Sequence, residues 1–299
     1  MRDLLSIRDL TKKDAESFLL EAARMEKLLG KPQKLLAGKI IAHMFFEPST
    51  RTNLSFQAAT LRLGGGVLPF YPSLSSVTKG ETFEDTIRMV DGYADAIVLR
   101  HPQQGSAQQA AKIALHPVIN AGDGGNQHPT QTLIDLYTIR KLKGKIGGLS
   151  VTLLGDLRHA RTMRSLLFGL SMFGAEARLV SPPTLRMDPA VLREVWEKFG
   201  ARPREYSRPD LRGCDVLYVC RIQKERFASE SEAAGMQKEF RLDQRVLSGA
   251  PKDMAILHPL PKVDEIPAEL DADPRAKYFS QAKNGVPVRM AVLKKCVVG

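Results

Sequence analysis

Cysteine is scarce in this chain: its 299 residues hold three, Cys214, Cys220 and Cys296, and no two of them form a Cys-x-x-Cys pair. That argues against a disulfide framework and against a zinc site made within the chain. The thiols read as small buried hydrophobes in a reducing compartment. Long apolar runs are missing too. None approaches the ~18 residues that a membrane span needs, and Met1-Arg2-Asp3-Leu4-Leu5-Ser6 turns polar before a signal-peptide core can form. A cytoplasmic protein with no membrane partner is the expectation. Nucleotide fingerprints are absent: Gly122-Asp123-Gly124-Gly125 is glycine-rich but lacks the Gly-Lys-Ser/Thr of a P-loop, and no Gly-x-Gly-x-x-Gly occurs. Neither a repeat of solenoid period nor a low-complexity tract is found.

What is present is a basic, ordinary globular composition. Hydrophobic residues make up 43% and charged residues 26%, enough apolar material for a real core. Lys and Arg number 44 against 33 Asp and Glu, a net charge of +11. Such a balance suits nucleic acid, acidic membrane surfaces or small anionic substrates, and charge alone cannot choose among them. The excess is spread along the chain, and clusters such as Arg140-Lys141-Leu142-Lys143 read as the polar end of a helix. With no recognisable nucleic-acid motif and no interleaved basic and aromatic stripes, nucleic acid is not an expected partner.

Strand-like and helix-like segments alternate. Residues 14–29 read as an amphipathic helix, 39–46 as a buried strand, and Leu54, Ala58 and Leu61 as the apolar stripe of a helix that Gly64-Gly65-Gly66 ends. Further strands are expected at 67–70, 96–99, 118–120, 149–154, 176–181, 215–219 and 254–257. Helices are expected at 82–92, from Pro129, at 160–173 and near 286–295. At about 150 residues per domain the length suits two domains, and strands separated by helices indicate parallel sheets covered on both faces. The Lys- and Gly-dominated stretch 144–148 is the best boundary by composition.

In parallel α/β sheets, ligands bind beyond the carboxyl ends of the strands. Five such places hold polar groups. Glu47-Pro48-Ser49-Thr50-Arg51-Thr52 leads from a strand into a helix, where free N–H groups, hydroxyls and a guanidinium fork suit a phosphate; simple helix capping is the bland alternative. Pro72 to Thr82 is a hydroxyl-rich loop containing Ser75 and ending in Lys79-Gly80, with Thr82 placed to cap the next helix. Arg100-His101-Pro102 follows a strand. In Asn126-Gln127-His128-Pro129-Thr130-Gln131, Pro129 fits the first helical position and puts His128 at the helix start, where the dipole favours a neutral imidazole able to donate to an oxygen. The last group is Gly155 to Thr162 with Arg161, then Arg221-Ile222-Gln223, then His258-Pro259-Leu260-Pro261. Its arginines could hold a substrate with two carboxylates, or serve only structural ion pairs.

All five segments, in this order and across nearly the whole chain, resemble the aspartate/ornithine carbamoyltransferase family. Ser-Thr-Arg-Thr (49–52) and His-Pro-Thr-Gln (128–131) mark the family. Lys79 in Lys-Gly-Glu-Thr, Arg221-x-Gln223 and Pro259 in His-Pro-Leu-Pro narrow it to the aspartate branch, because the ornithine branch has a cysteine where Pro259 stands. Thr78 and Cys220 depart mildly from the common pattern.

The resemblance implies two doubly wound parallel-sheet α/β domains with the active site in the cleft between them. Residues 1–130 would bind carbamoyl phosphate, with the C-terminal helix 285–299 packing back onto them, and 131–284 would bind aspartate. It implies carbamoyl transfer to L-aspartate by direct amine attack, with no cofactor, no metal and no covalent intermediate. Ser49, Thr50, Arg51 and Thr52 would cradle the phosphate, and Ser75 and Lys79 would reach it from a neighbouring subunit of a homotrimer. Thr52, Arg100 and His128 would act catalytically on the carbonyl oxygen. Gln131 would contact the carbamoyl amine near the carbonyls of Pro259 and Leu260. Arg161, Arg221 and Gln223, with Lys79, would hold aspartate. The resemblance also leaves room for a separate regulatory chain. The rivals are a transcarbamoylase for another amine such as ornithine, and a non-catalytic relative that has kept the fold.

Overall fold

The computed structural model describes residues 3–222 and 240–299. The chain divides into two compact units: Met1–Tyr137 together with Asn284–Gly299, and Thr138–Lys283.

The first unit is built on a four-stranded sheet of β1 (Ile40–Phe45), β2 (Gly66–Phe70), β3 (Ala96–His101) and β4 (Val118–Asp123). Its order is β2-β1-β3-β4, every pair parallel. All six residues of β4 and five of the six in β1 are buried. That is why these strands do not alternate apolar with polar, and why even their polar residues His43, Asn120 and Asp123 are buried: both faces of the sheet are covered. Helix α1 (Lys12–Lys27) starts at a capping box in which the Thr11 hydroxyl accepts from Asp14 N–H and the Asp14 carboxylate accepts from Thr11 N–H. Helices α2 (Thr50–Arg62), α3 (Phe83–Asp91) and α4 (Ser106–Ile113) follow β1, β2 and β3.

Helix α2 lies where its period predicts, but with the opposite face inward. Leu54 and Leu61 are 58% and 63% exposed, and the buried positions are Thr52, Phe56, Ala59 and Thr60. Periodicity detects an amphipathic helix; it does not say which stripe meets the core of its own unit. Gly64 then stops the chain with φ +82°, and a Cβ there would stand 2.6 Å from the Gln33 carbonyl oxygen.

The second unit carries a five-stranded parallel sheet of order β7-β6-β5-β8-β9. Its strands are β5 (Ser150–Leu154), β6 (Glu176–Val180), β7 (Arg204–Tyr206), β8 (Val216–Val219) and β9 (Ala255–Leu257). Strands β5, β8 and β9 are wholly buried, whereas β7 is a three-residue exposed edge. Helix α5 (Pro129–Lys143) runs across the division between the units. Within the second unit lie α6 (Arg161–Phe173), α7 (Pro189–Phe199) and α8 (Tyr278–Lys283). Helix α9 (Gly285–Leu293) returns to the first unit and packs against α1 and α2. The three cysteines are free and buried, and burial pushes the Cys220 and Cys296 thiols up to about 12. Among the described residues no helix is long and apolar enough to cross a membrane.

Candidate active site

In the first unit the predicted residues gather at the carboxyl ends of adjacent strands. Ser49 occupies the N-cap of α2 with extended backbone (φ −159°, ψ 92°), yet its hydroxyl makes no capping hydrogen bond. The bland reading of this segment therefore fails: the residue stands in the capping place without capping. Thr50 and Arg51 are exposed in the first turn, and Thr52 is buried. Burial of part of the Arg51 side chain lowers its pKa.

Arg100 lies at the end of β3, in register with Phe45 of β1. Its guanidinium Nη2 is 2.6 Å from Glu47 Oε1, and its Nη1 donates to the Ala121 carbonyl at 3.2 Å. One side chain thus ties the β1–α2 loop to β4. A second tie is aromatic: Phe46 stacks obliquely on His101 (ring centroids 4.8 Å apart) and meets Phe70 and Phe83.

His128 is buried and immediately precedes α5, with Pro129 at the first helical position. Its carbonyl accepts from Gln131 N–H (3.0 Å) and Thr132 N–H (3.2 Å), so the residue belongs to the helix start. Gln131 donates through Nε2 to buried Asp135 Oδ1 at 2.8 Å. The turn leading to His128 hangs on Asp123. This carboxylate is fully buried and accepts four bonds: Asn120 Nδ2 (3.0 Å), Asn126 Nδ2 (2.9 Å) and the backbone N–H of Gly105 and Gln127 (3.0 Å each). Gly124 closes the turn with φ +52°, where a Cβ would fall 2.5 Å from the Pro102 carbonyl oxygen. Asp123→Ala removes the acceptor of the buried Gln127 N–H, the half-buried Gly105 N–H and two side-chain amides, of which Asn120 keeps a bond to the Leu5 carbonyl. We expect it to destabilise the first unit by about 3–5 kcal/mol, read from its urea unfolding transition.

Behind α2 sits Arg289 of α9. It is 3% exposed, its guanidinium lies over the Phe56 ring at 4.9 Å, and Nη1 donates to Ser55 Oγ at 2.7 Å. Ser55 in turn donates to the carbonyls of Arg51 and Thr52. Burial, and then the charge of Arg100, pull the Arg289 pKa down to about 9, while Asp135 pulls it back up. This buried cation braces the first turn of α2 and adds positive potential behind it.

Ser75 and Lys79 lie on a separate segment, beyond edge strand β2. It is not a featureless loop: two 3₁₀ turns, Pro72–Leu74 and Ser76–Lys79, shape it. The Ser75 hydroxyl donates to the Pro72 carbonyl at 2.8 Å, Lys79 is exposed, and Gly80 closes the second turn in the left-handed region. Thr82 caps α3, accepting from Asp85 N–H at 3.1 Å.

In the second unit, Arg161 is the first residue of α6, after β5, and Arg221 follows β8 by two positions. Both are half-buried. The turn before Arg161 is held by buried Asp156, which accepts from His159 N–H at 2.9 Å and stands 3.2 Å from its Nδ1. Pro259 and Leu260 follow β9, and Leu260 has φ +58°. Gln223 lies outside the described residues.

The residues that motif reading passes over are the anchors: Glu47, Asn120, Asp123, Asp156 and Arg289. Two left a trace in the sequence. Asp123 sits in a glycine-rich turn after a strand, and Arg289 interrupts Gly-Val-Pro-Val-Arg-Met-Ala-Val-Leu, an otherwise apolar helix that must be buried all round.

Two parallel α/β sheets with hydroxyl and cationic side chains, and a buried histidine at a helix start, placed after their strands are the frame of an α/β enzyme. The chain belongs to the aspartate/ornithine carbamoyltransferase family: residues 2–141 match its carbamoyl-P binding domain and residues 147–296 its Asp/Orn binding domain. The aspartate carbamoyltransferase catalytic subunit of Thermococcus onnurineus is 50% identical over 299 residues, covering 98% of this chain and 96% of the relative. That of Methanocaldococcus jannaschii is 47% identical over 302 residues, covering 99% and 98%. Among solved structures, the Trypanosoma cruzi aspartate transcarbamoylase in complex with carbamoyl phosphate and aspartate superposes with a TM-score of 0.93 at 36% identity, covering 99% of this chain and 95% of that one.

Proposed function

We propose that this chain is an aspartate carbamoyltransferase catalytic chain: it transfers the carbamoyl group of carbamoyl phosphate to the amine of L-aspartate, giving N-carbamoyl-L-aspartate and phosphate, a step of pyrimidine biosynthesis. The observation that carries the reading is the placement of Ser49, whose hydroxyl makes no capping bond, of Arg100 and of His128 at or after the carboxyl ends of the neighbouring strands β1, β3 and β4 of one sheet. Ser49, Thr50, Arg51 and Thr52 hold the phosphate with a helix N-terminus, hydroxyls and a guanidinium fork. Thr52, Arg100 and His128 donate to the carbonyl oxygen, which gains negative charge as the amine attacks. Gln131 and the carbonyls of Pro259 and Leu260 orient the carbamoyl amine. Arg161, Arg221 and Gln223 bind aspartate's carboxylates.

Both substrates are anions that repel each other in water. The chemistry is therefore positioning plus preorganised positive charge. Two arginines in the acceptor half suit a dicarboxylate and oppose a cationic acceptor such as ornithine. The reading requires both units to serve one pair of substrates.

The reading extends to a homotrimer in which Ser75 and Lys79 serve a neighbour's site. It is supported by the large apolar side chains left in water on α2 and on the segment after β2, namely Leu54, Leu61, Tyr71 and Leu74, the last 85% exposed. A second copy of the chain is the occupant that fits them, since Lys79 lies on the same segment. The buried free thiols fit a reducing compartment such as the cytoplasm.

One assay tests the whole: purified chain, carbamoyl phosphate and aspartate, with carbamoyl-aspartate as the readout and mass in solution measured alongside. Arg221→Ala should raise the aspartate KM by roughly 10- to 150-fold, the loss of a charge-assisted contact worth about 1.5–3 kcal/mol, and leave carbamoyl phosphate binding within a few-fold. Separate equilibrium titrations of the two substrates check it.

A further inference from the structure

Leu260 holds a backbone conformation that bulky side chains avoid, with φ +58°. Such conformations persist only where the surroundings over-determine them, and they concentrate at functional sites. Here His258 supplies the constraint. Its Nδ1 accepts the Leu260 N–H at 2.8 Å, and its own N–H donates to Gln281 Oε1 at 2.9 Å. A backbone N–H can only donate, so Nδ1 carries the lone pair and the ring proton of a neutral imidazole sits on Nε2. Nε2 in turn stands 2.9 Å from Glu265 Oε1, and both side chains are almost completely buried. Glu265 is itself fixed, since Oε1 accepts from Val263 N–H at 3.1 Å and its carbonyl accepts from Leu242 N–H at 2.8 Å. Burial alone would raise the Glu265 carboxyl, but His258 and backbone N–H groups more than offset this and hold it low. A buried carboxylate facing Nε2 selects the tautomer that leaves Nδ1 open to Leu260.

We propose that His258, held in its neutral Nε2–H form by Glu265, is a positioning residue that fixes the Leu260 N–H and thereby aims the Pro259 and Leu260 carbonyls at the carbamoyl amine. The proposal rests on the carbamoyl-transfer reading. The imidazole touches no substrate; it acts through the backbone.

The test uses the full chain with His258→Asn and His258→Gln. The asparagine amide oxygen can take the place of Nδ1 and keep the Leu260 bond, whereas the glutamine amide reaches toward Glu265 and leaves Leu260 N–H without its acceptor. We expect His258→Gln to raise the carbamoyl phosphate KM ~10- to 100-fold, with aspartate KM little changed, and His258→Asn to stay within about threefold of wild type. Thermal midpoints of both variants separate this from a purely structural histidine, which would lower both midpoints and leave the two KM values alike. That outcome overturns the proposal while sparing the parent reading. A wild-type chain that forms no carbamoyl-aspartate overturns both. Should His258→Gln fail to fold, ¹⁵N-histidine spectra of the wild type decide the matter: an unprotonated Nδ1 at His258 is expected, and a protonated Nδ1 sinks the proposal.

Discussion

Replacing His128 with alanine should lower turnover ~10²- to 10³-fold, the usual loss when one preorganised donor to a developing oxyanion is removed, about 2.7–4 kcal/mol of transition-state stabilisation. The structure explains why the fold should survive. The helix start at His128 is made by its backbone, whose carbonyl accepts from Gln131 and Thr132, and by Pro129; none of this needs the imidazole. The turn before it is anchored by Asp123. Turnover should therefore fall while the unfolding transition stays near that of wild type. Arg100→Ala should match it in rate but also lose stability, because Arg100 bridges Glu47 and the Ala121 carbonyl. Single-turnover rates with both substrates saturating check the pair, and near-normal turnover in either variant would remove that residue from the mechanism.

The two sheets were legible because their strands are buried on both faces and so appear as unbroken apolar runs. Ala96 to Leu99 and Val216 to Val219 are clear examples. The loops at their carboxyl ends were legible because hydroxyls, arginines and a His-Pro pair are unnecessary in plain connectors. What local pattern could not convey is long-range. Strand β7 is three polar residues whose identity as a strand comes only from pairing with β6. Helix α7 carries good boundary signals, Asp188 accepting from Ala190 N–H at its start and Gly200 past its end, which periodicity alone passes over. Which face of α2 meets the core was not legible, because Leu54 and Leu61 form a true apolar stripe that its own unit leaves in water. Arg289 becomes meaningful only when a helix more than two hundred residues downstream of Ser55 comes to lie against it.

Mixing two inactive variants, Lys79→Ala and Arg51→Ala, should restore activity where neither has any alone. Each lesion removes a full positive charge from the phosphate, and each homogeneous protein carries it in every site. If Lys79 serves the site of an adjacent subunit, every mixed trimer contains one site that draws Arg51 from one parent and Lys79 from the other, and random exchange at equal amounts should recover roughly a quarter of wild-type turnover. The structural premises are already visible: Arg51 is in the first turn of α2, whereas Lys79 is an exposed lysine at the end of a 3₁₀ turn beyond an edge strand. A lysine serving its own subunit's phosphate would give no recovery in any mixture. Subunit exchange must be confirmed independently, by mass or by a fluorescent label. Absence of activity after confirmed exchange would place Lys79 with its own chain and leave the stripe of Leu54 and Leu61 in need of another partner.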